Sequence, residues 1–186
     1  KSNIRLTNIM ENSDNSITLT AYNPNRGILI AYDEAGYAGW YFPATDITWA
    51  GIRMVAPENS MLSGISTIFP SGGSVREYTI NIWKGWTGNL PETLLFPFNG
   101  IVNWNTDPDN IRNGGWANIS VSDTNIILDK GETYYVEIHL EGGGPFYPFD
   151  YGQFANSEPS GMSYGRSNTQ ENCQSFPYGD WNIRVS

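Results

Sequence analysis

Residues 78–95 read YTINIWKGWTGNLPETLL, and their alternation limits the fold more than any other stretch. Side chains two apart share a face of a strand, so Tyr78, Ile80 and Ile82 form an apolar face. Thr79, Asn81 and Trp83 form the opposite one. The run then breaks into a turn rich in Gly, Trp, Asn and Pro, the pattern of a half-buried antiparallel strand leading into an exposed aromatic loop. A second such run, YYVEIHLEGGG at 134–144, follows some forty residues later, and the chain closes on DWNIRVS at 180–186.

Further strands are expected over 4–10, 16–22, 27–32, 49–56, 61–69, 77–83, 93–98, 116–121, 133–140, 163–166 and 181–185. Windows with helical apolar spacing are missing, and 20 Gly and 11 Pro punctuate the chain every few residues. Short strands at this spacing predict an all-β fold: an antiparallel β-sandwich of jelly-roll type, like that of carbohydrate-binding modules. With 186 residues the chain is long enough for a two-sheet core.

The first 26 residues read as a separate unit. IRLTNIMENSDNSITLTAY is a hairpin with a polar turn at 11–15, and NPNRG at 23–27 has the Pro and Gly of a linker. A lone hairpin is marginal in water. Residues 1–26 are therefore expected to dock on the sandwich of 27–186 or to end an upstream domain. The opening of the chain in mid-strand suggests an excised or processed fragment.

Charge and cysteine content exclude several functions. The 19 acidic and 10 basic residues give a net charge of −9 with no Lys/Arg cluster, which argues against nucleic acid and against anionic membrane surfaces. No run of about 18 apolar residues provides a membrane span. The single cysteine, Cys173, permits no internal disulfide and has no neighbouring His or base to activate it. Few Lys, many Asn, Ser, Thr and Gly, and abundant aromatics fit an extracellular or cell-surface location.

Two constellations could carry chemistry. Glu137, His139 and Glu141 share one face of their strand, an acceptable trio for a divalent metal, but a polar solvent-facing surface is the preferred reading. Among the acids Glu132, Glu137, Glu141 and Asp150, a glycosidase would need a pair at catalytic separation. Glu137 and Glu141 would lie about 13 Å apart along a strand, too far for direct cooperation. NTDPDN at 105–110 sets Asp107, Asp109 and Asn110 in an oxygen-rich turn. These are the calcium candidates, and ordinary turn chemistry accounts for the same residues. No cofactor is required by any motif.

The remaining signal is aromatic. Trp40 and Tyr41 follow the flexible GYAG, Trp86 sits in the turn after Trp83, and Phe146, Tyr147, Phe149 and Tyr151 fall in GGGPFYPFDYG. Rings in stiff, exposed loops stack on sugars or pack against a partner, so these residues are the expected contact surface for a glycan or a neighbouring domain. Trp83 and Trp181, inside strands, are expected to cap the open ends of the sandwich rather than to bind.

Several stretches carry a family resemblance: the 4–22 hairpin, AYDEAG (31–36), WAGIRMVAP (49–57), LSGISTIFPSGG (62–73), YTINIWKGWTGNLPETLL, LDKGETYYVEIHL (128–140) and DWNIRV. The hairpin resembles the one that closes the catalytic region of secreted bacterial metallopeptidases of the immune-inhibitor type. The rest resembles a jelly-roll accessory domain C-terminal to such peptidases and in other large surface proteins. The resemblance implies a non-catalytic accessory domain. A peptidase's two-His zinc helix cannot be assembled, because His139 is the only histidine. A carbohydrate-binding module and a small jelly-roll glycosidase are the alternatives, and a structural subunit of a surface assembly is a fourth.

Overall fold

The structure, a computed structural model, describes residues 5–11, 17–23, 27–32, 39–41, 48–68, 75–103, 116–140, 147–151, 160–167, 172–177 and 179–186. In chain order its strands are β1 (Arg5–Glu11), β2 (Ile17–Asn23), β3 (Gly27–Ile28), β4 (Ile30–Ala31), β5 (Gly39–Tyr41) and β6 (Trp49–Val55). Then come β7 (Ser60–Met61), β8 (Gly64–Ile68), β9 (Val75–Thr87), β10 (Leu90–Asn103), β11 (Trp116–Ser120) and β12 (Ile127–Leu128). The last are β13 (Thr133–Leu140), β14 (Tyr147–Tyr151), β15 (Ser163–Arg166), β16 (Gln174–Ser175), β17 (Gly179–Trp181) and β18 (Ile183–Val185). Among the described residues the only helical element is a 3₁₀ turn at Ser122–Thr124.

The chain is an all-β, antiparallel sandwich. A six-stranded sheet, ordered β10-β9-β13-β6-β15-β16, faces a four-stranded one, ordered β11-β8-β18-β4. Alternation decides which residues meet between them. Ala50, Ile52 and Met54 of β6, Tyr78, Ile80 and Ile82 of β9, and Tyr134, Val136 and Ile138 of β13 pack against Ile65, Ala117, Ile119, Ile183 and Val185 of the opposing sheet. The apolar face read from the sequence of β9 is thus the inner face. Trp181 joins this core, stacked on Phe176 at 3.8 Å between ring centroids, with its indole N–H donating to the Tyr164 carbonyl at 2.7 Å.

The hairpin over the first residues forms as expected. β1 pairs with β2, with a register shift between Thr7 and Ile9. The strand expected over 27–32 divides instead. β3 pairs with β2 in a separate three-stranded sheet, whereas β4 pairs with β18 in the sandwich. Leu29 lies between the two.

Two expectations about loops are corrected. The strand of β9 continues through Trp86 to Thr87, and only Gly88 and Asn89 turn the chain into the 14-residue β10. Gly88 has φ 62°, the positive value that two-residue hairpin turns need at their first central position. Trp86 is therefore on a strand. Residues 147–151, read as an aromatic loop, form β14, which pairs with both β5 and β17.

Candidate functional site on the outer face of the six-stranded sheet

Strand parity places Tyr135, Glu137 and His139 of β13 on the face turned away from the core, with Asn81 and Trp83 of β9, Trp49, Gly51 and Arg53 of β6, and Tyr164 and Arg166 of β15. The expectation of a solvent-facing polar surface is overturned here: Glu137 and Tyr135 are both 0% exposed. Two segments distant in sequence cover them. One is the far part of the β9–β10 hairpin, which bends across the sheet. Gly85 (φ 84°) and a register shift between Leu94 and Phe96 lie at the bend. The other runs through Cys173, whose backbone N–H donates to the Asn89 carbonyl at the hairpin tip at 2.8 Å. The tip starts from one edge of the sheet and meets the segment beside β16 at the opposite edge.

Under this cover lies a second cluster of Tyr135, Tyr164 and Cys173, with Trp83 and Trp86 packed against it. The Trp86 ring centroid stands 5.1 Å from Tyr135 and 4.8 Å from Tyr164. Gly51 provides the bed. A Cβ there would meet the Tyr135 ring at 2.6 Å and the Val136 carbonyl at 2.7 Å, so no side chain fits.

Glu137 is held by four hydrogen bonds. Arg166 donates twice, Nε to Oε2 at 2.8 Å and an Nη to Oε1 at 2.6 Å, while Asn81 and the Trp83 indole donate to Oε1 at 2.9 and 3.0 Å. Burial works against the charge of Arg166, but its hydrogen bonds and attraction to Glu137 prevail and raise its pKa. The Arg166 guanidinium also lies 4.8 Å above the Trp49 ring, which stacks on His139 at 4.9 Å. His139 Nδ1 is 2.7 Å from the Thr48 carbonyl. Glu137 is therefore a buried tie between β9, β13 and β15, with both carboxylate oxygens engaged.

Burial drives the Cys173 thiol up to about 11, against the lowering effect of its contact with the Tyr135 hydroxyl. Burial likewise pushes the Tyr135 phenol well above its usual value. Its hydroxyl lies against the Cys173 thiol, while the Trp86 indole N–H is buried without a hydrogen-bond partner among the described residues. A thiol so protonated is a packed core group rather than a nucleophile.

The structure brings some of the aromatic residues singled out in the sequence together, in a different sheet from Trp86. Tyr147 pairs with Tyr41, Pro148 with Trp40, Phe149 with Trp181 and Tyr151 with Gly179 in the three-stranded sheet β17-β14-β5. Phe146, Glu141 and the calcium candidates Asp107, Asp109 and Asn110 lie outside the described residues. Among the described residues no group of three or more His, Cys, Asp or Glu could hold a metal. Arg53, Tyr135 and Arg166 were not singled out in the sequence. The signal for them was the outward parity of β6, β13 and β15. No protein-family model matches the chain, and no curated protein matches it.

Proposed function

We propose that this chain is a non-catalytic accessory β-sandwich of a secreted peptidase or another surface protein, working outside the cell to attach its parent to a glycan or to a neighbouring domain. The observation that carries the reading is the outer face of the six-stranded sheet. There Trp49, Trp83 and Trp86 are each half-buried, so a fixed, ring-lined surface remains partly open to a partner. Such rings lose little freedom when they bind, which favours recognition. The best-placed acid, Glu137, is engaged by Arg166, Asn81 and Trp83 and is not poised as a general acid or base.

The link to a peptidase rests on the resemblance of the 4–22 hairpin and of the later strand-and-turn motifs. A carbohydrate-binding module of jelly-roll type is the second reading, favoured by the indoles at this face. A glycan array combined with tryptophan-fluorescence titration tests both. Saturable binding that weakens in Trp86→Ala supports attachment through this face. A flat titration against every glycan, together with no affinity for an upstream peptidase domain, rejects it.

A further inference from the structure

The two arginines of the outer face differ in one respect. Arg166 has its carboxylate, Glu137, in a two-pronged pair. Arg53 has none among the described residues. Its guanidinium carbon stands 5.7 Å from the Trp86 ring centroid and 5.4 Å from that of Tyr164, and its one side-chain hydrogen bond goes to the Met162 sulfur at 3.6 Å. Thioether sulfur is a weak acceptor, and a guanidinium carries five N–H donors. Stacking on rings uses the flat faces of the guanidinium and leaves its N–H edges available. Arg53 thus stands on two aromatic rings without an acid among the described residues, in a chain with 19 acidic residues against 10 basic ones.

The surroundings ask for an acceptor as well. The Trp86 indole N–H, which can only donate, is buried and unmatched among the described residues. Arg53 itself is half-buried, beside the exposed Val55, at the margin of the ring cluster, where a ligand can reach its edge.

We infer that Arg53, Trp86 and Tyr164 form a subsite for a carboxylated sugar, a uronate residue of an acidic polysaccharide. The inference rests on reading this face as a binding surface. The planar carboxylate matches the guanidinium fork, and the C–H face of the same sugar ring packs on the half-buried Trp86 indole. A neutral sugar satisfies only the second contact. The net charge of −9 opposes an acidic ligand at long range. Screening over about 8 Å at physiological salt confines that effect to the encounter rate and leaves the contact pairing intact.

The test is a tryptophan-fluorescence titration of the intact chain with an oligogalacturonate and with its methyl ester, which has the same ring without the charge. Binding of the acid at least about tenfold tighter than the ester, the scale of one charge-assisted contact, is the expected result. Arg53→Gln should abolish that preference and Arg53→Lys should retain part of it, with both melts compared with the parent. Equal binding of acid and ester overturns the inference while leaving a glycan-binding face in place. Failure of the acid to bind while a neutral glycan does so also overturns it. If no sugar of either kind binds, the inference and the glycan form of the proposed function fail together. The ester comparison uses the unaltered chain, so a variant that does not fold cannot mask the answer.

Discussion

Glu137 occupies a position that strand alternation alone would hand to solvent, yet it is fully buried. Removing one member of a buried ion pair strands the other, a loss of about 3–5 kcal/mol. Glu137→Ala would leave Arg166, Asn81 and Trp83 without their acceptor, so urea denaturation should show a destabilisation of that size. A change under about 1 kcal/mol would mean that water reaches these donors and that the network is not a tie. Lys84 and Asp129 make the contrasting case, an exposed bridge at 2.7 Å. That hydrogen bond raises the Lys84 pKa, yet Lys84→Ala should leave the denaturation midpoint where it was. Cys173 adds a pH signature. Its thiol titrates near 11 in the folded chain against an ordinary 9.0, so the native state keeps a proton that the unfolded chain releases. That contribution is whole below about pH 9 and is lost as pH rises from there to about 11. Tyr32, pushed by burial to about 12, extends the loss upward. Melting temperature should therefore fall through this range. At pH 8 a thiol reagent should label Cys173 slowly until denaturant is added, and rapid labelling of the native chain would contradict its burial.

At the scale of strands, the outer face depends on a glycine beneath a tyrosine. Gly51→Ala drives a methyl group into the Tyr135 ring and the Val136 carbonyl, and the carbonyl cannot give way without breaking the β6–β13 ladder. Overpacking of this kind costs about 1–3 kcal/mol or more. Gly131→Ala has open space around it and only the strain of φ 83°, so it should cost about 1 kcal/mol. Equal losses at the two sites, read from chemical denaturation, would show that Tyr135 swings aside freely. The strands themselves were largely legible. Runs such as TYYVEIHL announce both their state and which residues share a face. What alternation cannot announce is whether the second face is covered. That depends on the Trp83 indole reaching Glu137 from 54 residues away and on Arg166 reaching it from 29. β14 was missed for a local reason. Its YPFDY follows three glycines and a proline and contains another proline, the usual punctuation of a loop, and only pairing with β5 and β17 draws it into a sheet.

For the whole molecule, the hydrogen-bond ladders change partner between β3 and β4. β3 pairs with β2 through Tyr22 opposite Ile28 and Asn23 opposite Gly27, and β4 pairs with β18 through Ala31 opposite Arg184 and Ile30 opposite Val185. Among the described residues no strand ladder joins the first sheet to the sandwich. The principal core draws its buried residues from Ala50 to Val185, with Ile30 and Tyr32 packed at its edge. A chain starting at Leu29 would keep all of these, together with the Glu137–Arg166 tie and the Arg53 subsite. Such a truncated chain should fold alone, melt cooperatively, and lose no more than about 4 °C, which for a domain of this size corresponds to roughly 1 kcal/mol. Its circular dichroism should stay that of an all-β protein. Starting at Tyr32 instead removes β4, and with it the ladder to β18 and the Ile30 contact with the core, so that chain should melt clearly lower. If the longer truncation product already melts broadly or fails to fold, the first three strands belong to the sandwich's folding unit rather than to a neighbour's.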